Sequence, residues 1–346
     1  MDNNKLKLAE ERFYSRFEAL NSEILQEFGK TISKFEGLSV SEAHKLAQQM
    51  KNGREIDKIM EDLEKASQLS RKDLEELLEI TAKENIDFAN TYYEAKGMDK
   101  VSYKDSKQFQ DIVKSVEKTT QGVFTNLSST TAIKLLKDNG EAYLKGIREA
   151  YEDVIDRCVL AVSTGQTNYQ KAMYDTIKQL SSSGVKKIYY DNEGKRAYAR
   201  RLDSSVRQNI LEGVRQVNIG VQEQVGKEFG ADGVEVSHHV NCAPDHIHID
   251  GQQFSKKKFE KINNNLTRPV ASMNCRHFVF SIVLGVSSPL YTKKQLEQDR
   301  KKNEKGFEYE GKKYTLYEGE QLQRKIELAV RQQKDLQITS KASGNK

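Results

Sequence analysis

The sequence predicts a mainly α protein: an extended N-terminal helical domain, a small α+β domain rich in cysteine and histidine, and a C-terminal helix. Three observations predict it. From Leu6 to about Ser182 there is no proline, and since a proline inside a helix costs about 3 kcal/mol, its absence suits long helices. Hydrophobic residues make up only 36% of the 346, charged residues 31%, and tryptophan is absent, so much of the chain must be helix surface rather than thick core. Five of the six histidines, two of the three cysteines and all three prolines fall between His238 and Pro289, which sets one compact element apart from the rest.

In chain order, the first helix shows apolar spacing at Leu8, Phe13, Phe17, Leu20, Ile24 and Phe28, with Gly29 and Gly37 near its stops. Ser70-Arg-Lys-Asp73 resembles a capping box opening the run Leu74, Leu77, Leu78, Ile80 and Phe88. Further helices are expected over about 106–122, 131–163 and 167–181. The polar break Ser181-Ser-Ser-Gly184 ends this first domain, 1–183. Beyond it, Val185 to Tyr190 and Lys195 to Ala199 flank a glycine-containing turn, the pattern of a β-hairpin.

Asp203-Ser-Ser then opens an amphipathic helix with Val206, Ile210, Val214, Val217 and Val221 on one side, ending near Gly230. A strand at Val234 to Ser237 leads into the histidine-rich text, and the α+β module is bounded at 184–292. The stretch 293–338 holds a second hairpin, Phe307 to Tyr317, and a basic helix from about Glu318 carrying Leu322, Ile326, Ala329 and Val330. Residues 339–346 read as a disordered tail.

No segment approaches the roughly 20 uninterrupted apolar residues of a membrane helix, and the start carries no apolar signal region. A soluble protein without a membrane partner is expected. Three cysteines, Cys158, Cys242 and Cys275, are too few for a disulfide scaffold and fit a reducing cytoplasm or a particle assembled there. The net charge of +5 resides in residues 293–346, with 14 basic against 9 acidic side chains. Such a tail can touch double-stranded DNA through its phosphates without reading sequence, or it can be a solvated helix face.

In the module, Cys242 and His246 are three residues apart and Cys275 and His277 only one. Two pairs of sulfur and nitrogen ligands can converge on a tetrahedral metal, and zinc prefers that set. A second reading makes the same residues a hydrogen-bonded loop core, with Cys275 buried and the imidazoles paired with Asp245 or Asp250. A third makes Cys242 or Cys275 a nucleophile with His246 or His277 as its base, or the cluster a metal-dependent hydrolase or nuclease. All three remain open. Phosphate-loop, dinucleotide, HExxH and GxSxG motifs are absent.

The order of short blocks in this window is specific: Ser237-His-His-Val-Asn-Cys-Ala-Pro-Asp-His246, Asp250-Gly-Gln-Gln-Phe-Ser255, Arg268-Pro269, Asn274-Cys-Arg-His277, Gly285-Val-Ser287 and Pro289-Leu-Tyr291. Together with the flanking hairpins, over roughly 185–338, it resembles the phage minor capsid protein 2 family, relatives of the MuF-type head morphogenesis proteins. The resemblance implies a low-copy protein of a tailed-phage head, inside the virion after assembly in the host cytoplasm. It implies the portal, capsid and scaffold proteins as partners, and it implies binding rather than catalysis.

Overall fold

The computed structural model describes residues 3–95, 97–136, 141–164, 166–272 and 275–344. The chain is mainly helical with small sheets. Its elements run α1 (Asn3–Ser33), α2 (Val40–Lys51), α3 (Glu55–Ala95), α4 (Lys107–Thr120), α5 (Leu127–Thr130), β1 (Thr131–Leu136), β2 (Ala142–Gly146), α6 (Ile147–Ser163) and α7 (Gln166–Ser183). They continue with β3 (Lys186–Tyr190), β4 (Arg196–Arg201), α8 (Leu202–Glu228), β5 (Gly233–Val236), β6 (Gln253–Ser255), α9 (Lys256–Asn264), β7 (Val279–Ile282), α10 (Lys293–Lys305), β8 (Phe307–Tyr309), β9 (Lys312–Tyr314) and α11 (Leu316–Ala342). Among the described residues no helix is long and apolar enough to cross a membrane.

Two compact units divide the chain, and they interleave in sequence where the sequence reading set its boundaries end to end. One gathers residues 73–121 and 208–326 with the first six residues; the other gathers 7–72, 122–207 and 327–346. In the second unit a four-stranded sheet of order β2-β1-β3-β4 is antiparallel throughout. Phe13 and Phe17 of α1 each stack on Phe124 at 6.0 Å, and Phe28 meets the edge of Tyr151 at 5.5 Å. The buried Tyr151 hydroxyl is satisfied by Thr31, 3.0 Å away, as a buried phenol requires.

Four expectations from the sequence change here. The helix expected over 131–163 begins only at Ile147; before it lie β1 and β2, paired from Ala132↔Gly146 to Leu136↔Ala142. The β-branched Thr131 and Ile133 lose rotamer freedom in a helix, and the intervening Asp138-Asn139-Gly140 text, outside the described residues, is a hairpin signal in sequence. Ser70 caps nothing: α3 runs through it, and its buried hydroxyl accepts from Arg16 Nη1 at 2.8 Å.

Gly29 does not stop α1, which continues to Ser33. It is a close-approach site instead, because a Cβ there would lie 2.6 Å from the carbonyl oxygen of Thr339. The tail from 339 is helical to Ala342, with Thr339 fully buried, rather than disordered; residues 345–346 lie outside the described residues. The helix signal continued past the last apolar residue counted, because buried Asp335 and Thr339 carry the packing.

The first unit follows the sequence pattern more closely. Val214, Val217 and Val221 of α8 are buried as their spacing requires. Asn218 Nδ2 donates to Asn85 Oδ1 at 2.6 Å, joining α8 to α3 by a buried amide pair. Sheet β6-β5-β7 is antiparallel, with Val234 facing Phe254 on one side and Ser281 on the other. Val234, Val236, Ile249, Phe254 and Val270 form its apolar core. The second expected hairpin is present as β8 and β9.

Candidate functional site

The cluster is placed by β5, the central strand, whose four residues are all buried. Such a strand carries no solvated edge, so its polar groups must be answered from within. The Glu235 carboxylate accepts from Gln253 Nε2 at 2.9 Å and from the backbone N–H of Leu290 at 2.7 Å. Ser237, just past the strand, donates its N–H to the carbonyl of Phe278 and accepts that residue's N–H on Oγ, both at 2.9 Å. These bonds clamp the blocks around 237, 253, 278 and 290 together.

Asp250 is the hub. It is 1% exposed; Oδ1 accepts from the His239 backbone N–H at 2.9 Å and faces His277 Nε2 at 3.0 Å, while Oδ2 faces His238 Nδ1 at 2.5 Å. Burial alone would raise its pKa, but the bonds from His277, His238 and the His239 N–H outweigh that, and the net shift is downward. Gly251 follows with φ +67°, where a Cβ would lie 2.5 Å from Leu296 Cδ2 on α10. Only glycine fits that turn. The other nitrogen of His238 reaches Asp299 Oδ2 of α10 at 3.1 Å.

Around this hub the structure brings His246, Cys275 and His277 together. Cys275 Sγ lies 3.4 Å from His277 Nδ1 and 3.9 Å from His246 Nδ1, and accepts the His277 backbone N–H at 3.4 Å. One ligand atom from each of the three sits within 4.8 Å of the others. Cys242 makes a second such group with Asp250 and His277, so His277 belongs to both. Asn274, the first residue of its block, lies outside the described residues. His246 Nε2 faces the carbonyl oxygen of Arg268 at 2.7 Å.

The electrostatics differ across the cluster. Burial would push the Cys275 thiol up, but hydrogen bonds from His246 and His277 overcome it and bring it to about 5. Burial would lower His277, yet its bonds to Asp250 and Cys275 raise it to about 9. Cys242, buried beside Asp250, is pushed up to about 12. Burial and the neighbouring His277 push His239 down to about 4, while its Nε2 faces the Arg276 carbonyl at 2.8 Å.

A small cleft opens over these groups, lined by His239, Cys242, His246, Cys275, His277 and, from α11, Tyr317 and Glu320. Glu320 holds its rim by accepting from Arg276 Nη1 at 3.1 Å and from Asn241. Sequence reasoning found Asp250 as an imidazole partner. It missed His238 and Asp299, 61 residues apart in sequence, and the Arg268 carbonyl, which as a backbone atom leaves no trace in residue identity.

Fold and cluster together define a helix-dominated protein with a histidine- and cysteine-bearing α+β element braced by buried hydrogen bonds. The family model for phage minor capsid protein 2 matches residues 1–346, the whole chain, and the chain belongs to that family. No curated protein and no solved structure matches it.

Proposed function

We propose that the chain is an internal component of the tailed-phage head, docked on the portal and on the inner capsid or scaffold. It acts in head morphogenesis or in DNA packaging or ejection by binding rather than catalysis. The observation that carries this reading is the family match along the entire chain. The cluster suits it as a brace: Asp250 ties two imidazoles and a backbone N–H together inside the module. The basic excess of residues 293–346 suits non-sequence-specific contact with packaged DNA. Mass spectrometry of purified virions and proheads tests the assignment, with the protein expected at a few copies per particle. Complete absence from both would overturn it. DNA binding by the purified chain should weaken steeply with salt, and a salt-independent affinity would remove the phosphate contact.

A second reading is favoured by one observation, the file Asp250, His277, Cys275 with contacts of 3.0 and 3.4 Å. A cysteine hydrolase uses such an oriented base beside its thiol. On that reading Cys275→Ala abolishes a hydrolytic activity while the protein stays folded.

A further inference from the structure

Two imidazoles meet at the sulfur of Cys275. The Arg268 carbonyl can only accept, so His246 Nε2 must carry the hydrogen in that 2.7 Å contact. Asp250 is likewise an acceptor, so His277 Nε2 carries the hydrogen at 3.0 Å. Both rings therefore turn Nδ1 toward the same sulfur, at 3.9 and 3.4 Å. Two imidazole nitrogens and a sulfur thus converge in a pocket where His246 and His277 are 1% and 3% exposed, and a single cation can replace the protons they share.

The dimensions suit a metal. With Zn–S about 2.3 Å and Zn–N about 2.0–2.1 Å, a tetrahedral angle separates sulfur from nitrogen by roughly 3.5 Å, and the two contacts straddle that value. The outer partners suit it too. Metal-bound histidines characteristically donate their remote N–H to a carboxylate or backbone carbonyl, which fixes ring and tautomer, and His277 and His246 do one each. We propose that His246 Nδ1, Cys275 Sγ and His277 Nδ1 are three ligands of a tetrahedral zinc ion whose fourth position faces the cleft.

Loading releases the proton held between Cys275 and His277 to solvent. One thiolate then offsets one of the ion's two charges, and both imidazoles bind in the neutral form. The ion joins His246 to the strand entry at 275–277, and it engages the sulfur lone pair that a nucleophile would need. The site therefore excludes the hydrolase reading for Cys275, and it stands whether or not the protein is found in virions.

The test uses the full chain purified without chelator. Elemental analysis should give one zinc per chain, and cobalt exchange should give tetrahedral d–d absorption with a thiolate charge-transfer band. Cys275→Ser and His246→Ala should lose both signals. Since either change can unfold the module, Asp250→Asn is the second arm: it leaves every ligand in place, and zinc affinity by chelator competition should fall about 10–100-fold with helicity unchanged. A folded wild-type protein that carries no zinc and takes none up on titration overturns the proposal. So does a zinc-loaded protein whose Cys275 is alkylated as fast as after chelation.

Discussion

His246 Nε2 sits 2.7 Å from the carbonyl oxygen of Arg268, a bond made to the backbone of a residue whose own side chain points to a different task. The Arg268 guanidinium faces Asp245 at 3.4 Å across a half-exposed surface. Surface pairs of this kind contribute about 0–1 kcal/mol. Arg268→Ala should therefore shift the denaturation midpoint little, whereas His246→Ala, which orphans a buried carbonyl and opens a cavity, should cost about 2–3 kcal/mol. Equal effects in urea titrations would contradict this division of labour.

Asp335 of α11 is 4% exposed and accepts from Asn21 Nδ2 at 2.9 Å and from Arg201 Nη1 at 2.7 Å. Arg201 also faces Asp203 at 3.3 Å. Removing one member of a buried ion network strands the others, at about 3–5 kcal/mol. Asp335→Ala should lower the unfolding free energy by that amount in urea titrations, and Asp335→Asn by less, since its one carbonyl oxygen still accepts from one of the two donors.

Lys187 is 3% exposed on β3, with Nζ donating to the Thr125 carbonyl at 3.0 Å, and burial pushes it down to about 8. Below that value the ammonium is charged in both folded and unfolded chains, and the desolvation cost is fully present. Between about 8 and the ordinary lysine value the folded side chain is neutral while the unfolded one still holds its proton, so stability rises with pH. Tyr151 and Cys158, both pushed up to about 12 by burial, act in the opposite direction above about pH 9. The measurable quantity is thus the wild-type stability minus that of Lys187→Met, which should grow between pH 7.5 and 9; a flat difference would refute the assignment.

Gly220 of α8 lets α4 approach so closely that a Cβ would lie 2.7 Å from Ile112 Cγ2. Alanine is the better helix former by about 1 kcal/mol, but overpacking against a β-branched side chain costs about 1–3 kcal/mol. Gly220→Ala should be neutral to destabilising, and the pair Gly220→Ala with Ile112→Ala should recover part of the loss in a double-mutant cycle.

The hairpins β3–β4 and β8–β9 and the valine face of α8 were legible in the sequence because glycine turns and helical periodicity are local signals. The strands β1 and β2 were not, since a short apolar run such as Ala-Ile-Lys-Leu-Leu fits either period and its sheet partner, β3, lies about 50 residues on. Ser70 misled because a serine hydroxyl answers an arginine from another helix as readily as it caps its own. In the cluster, residue types and density pointed to Cys242, His246, Cys275 and His277. Which nitrogen each ring presents depended on Asp250 and a carbonyl, and that is geometry.

The bond from Asn21 to Asp335 spans 314 positions of chain. Non-local closure of this kind is entropically late and slow. During synthesis at about 5–20 residues per second, the α1 face around Asn21 and Gly29 waits tens of seconds for the partner it needs. The unit containing it completes its core only after residues 335–339 have emerged from the ribosome, and any ribosome that stalls earlier releases a chain with that face uncovered.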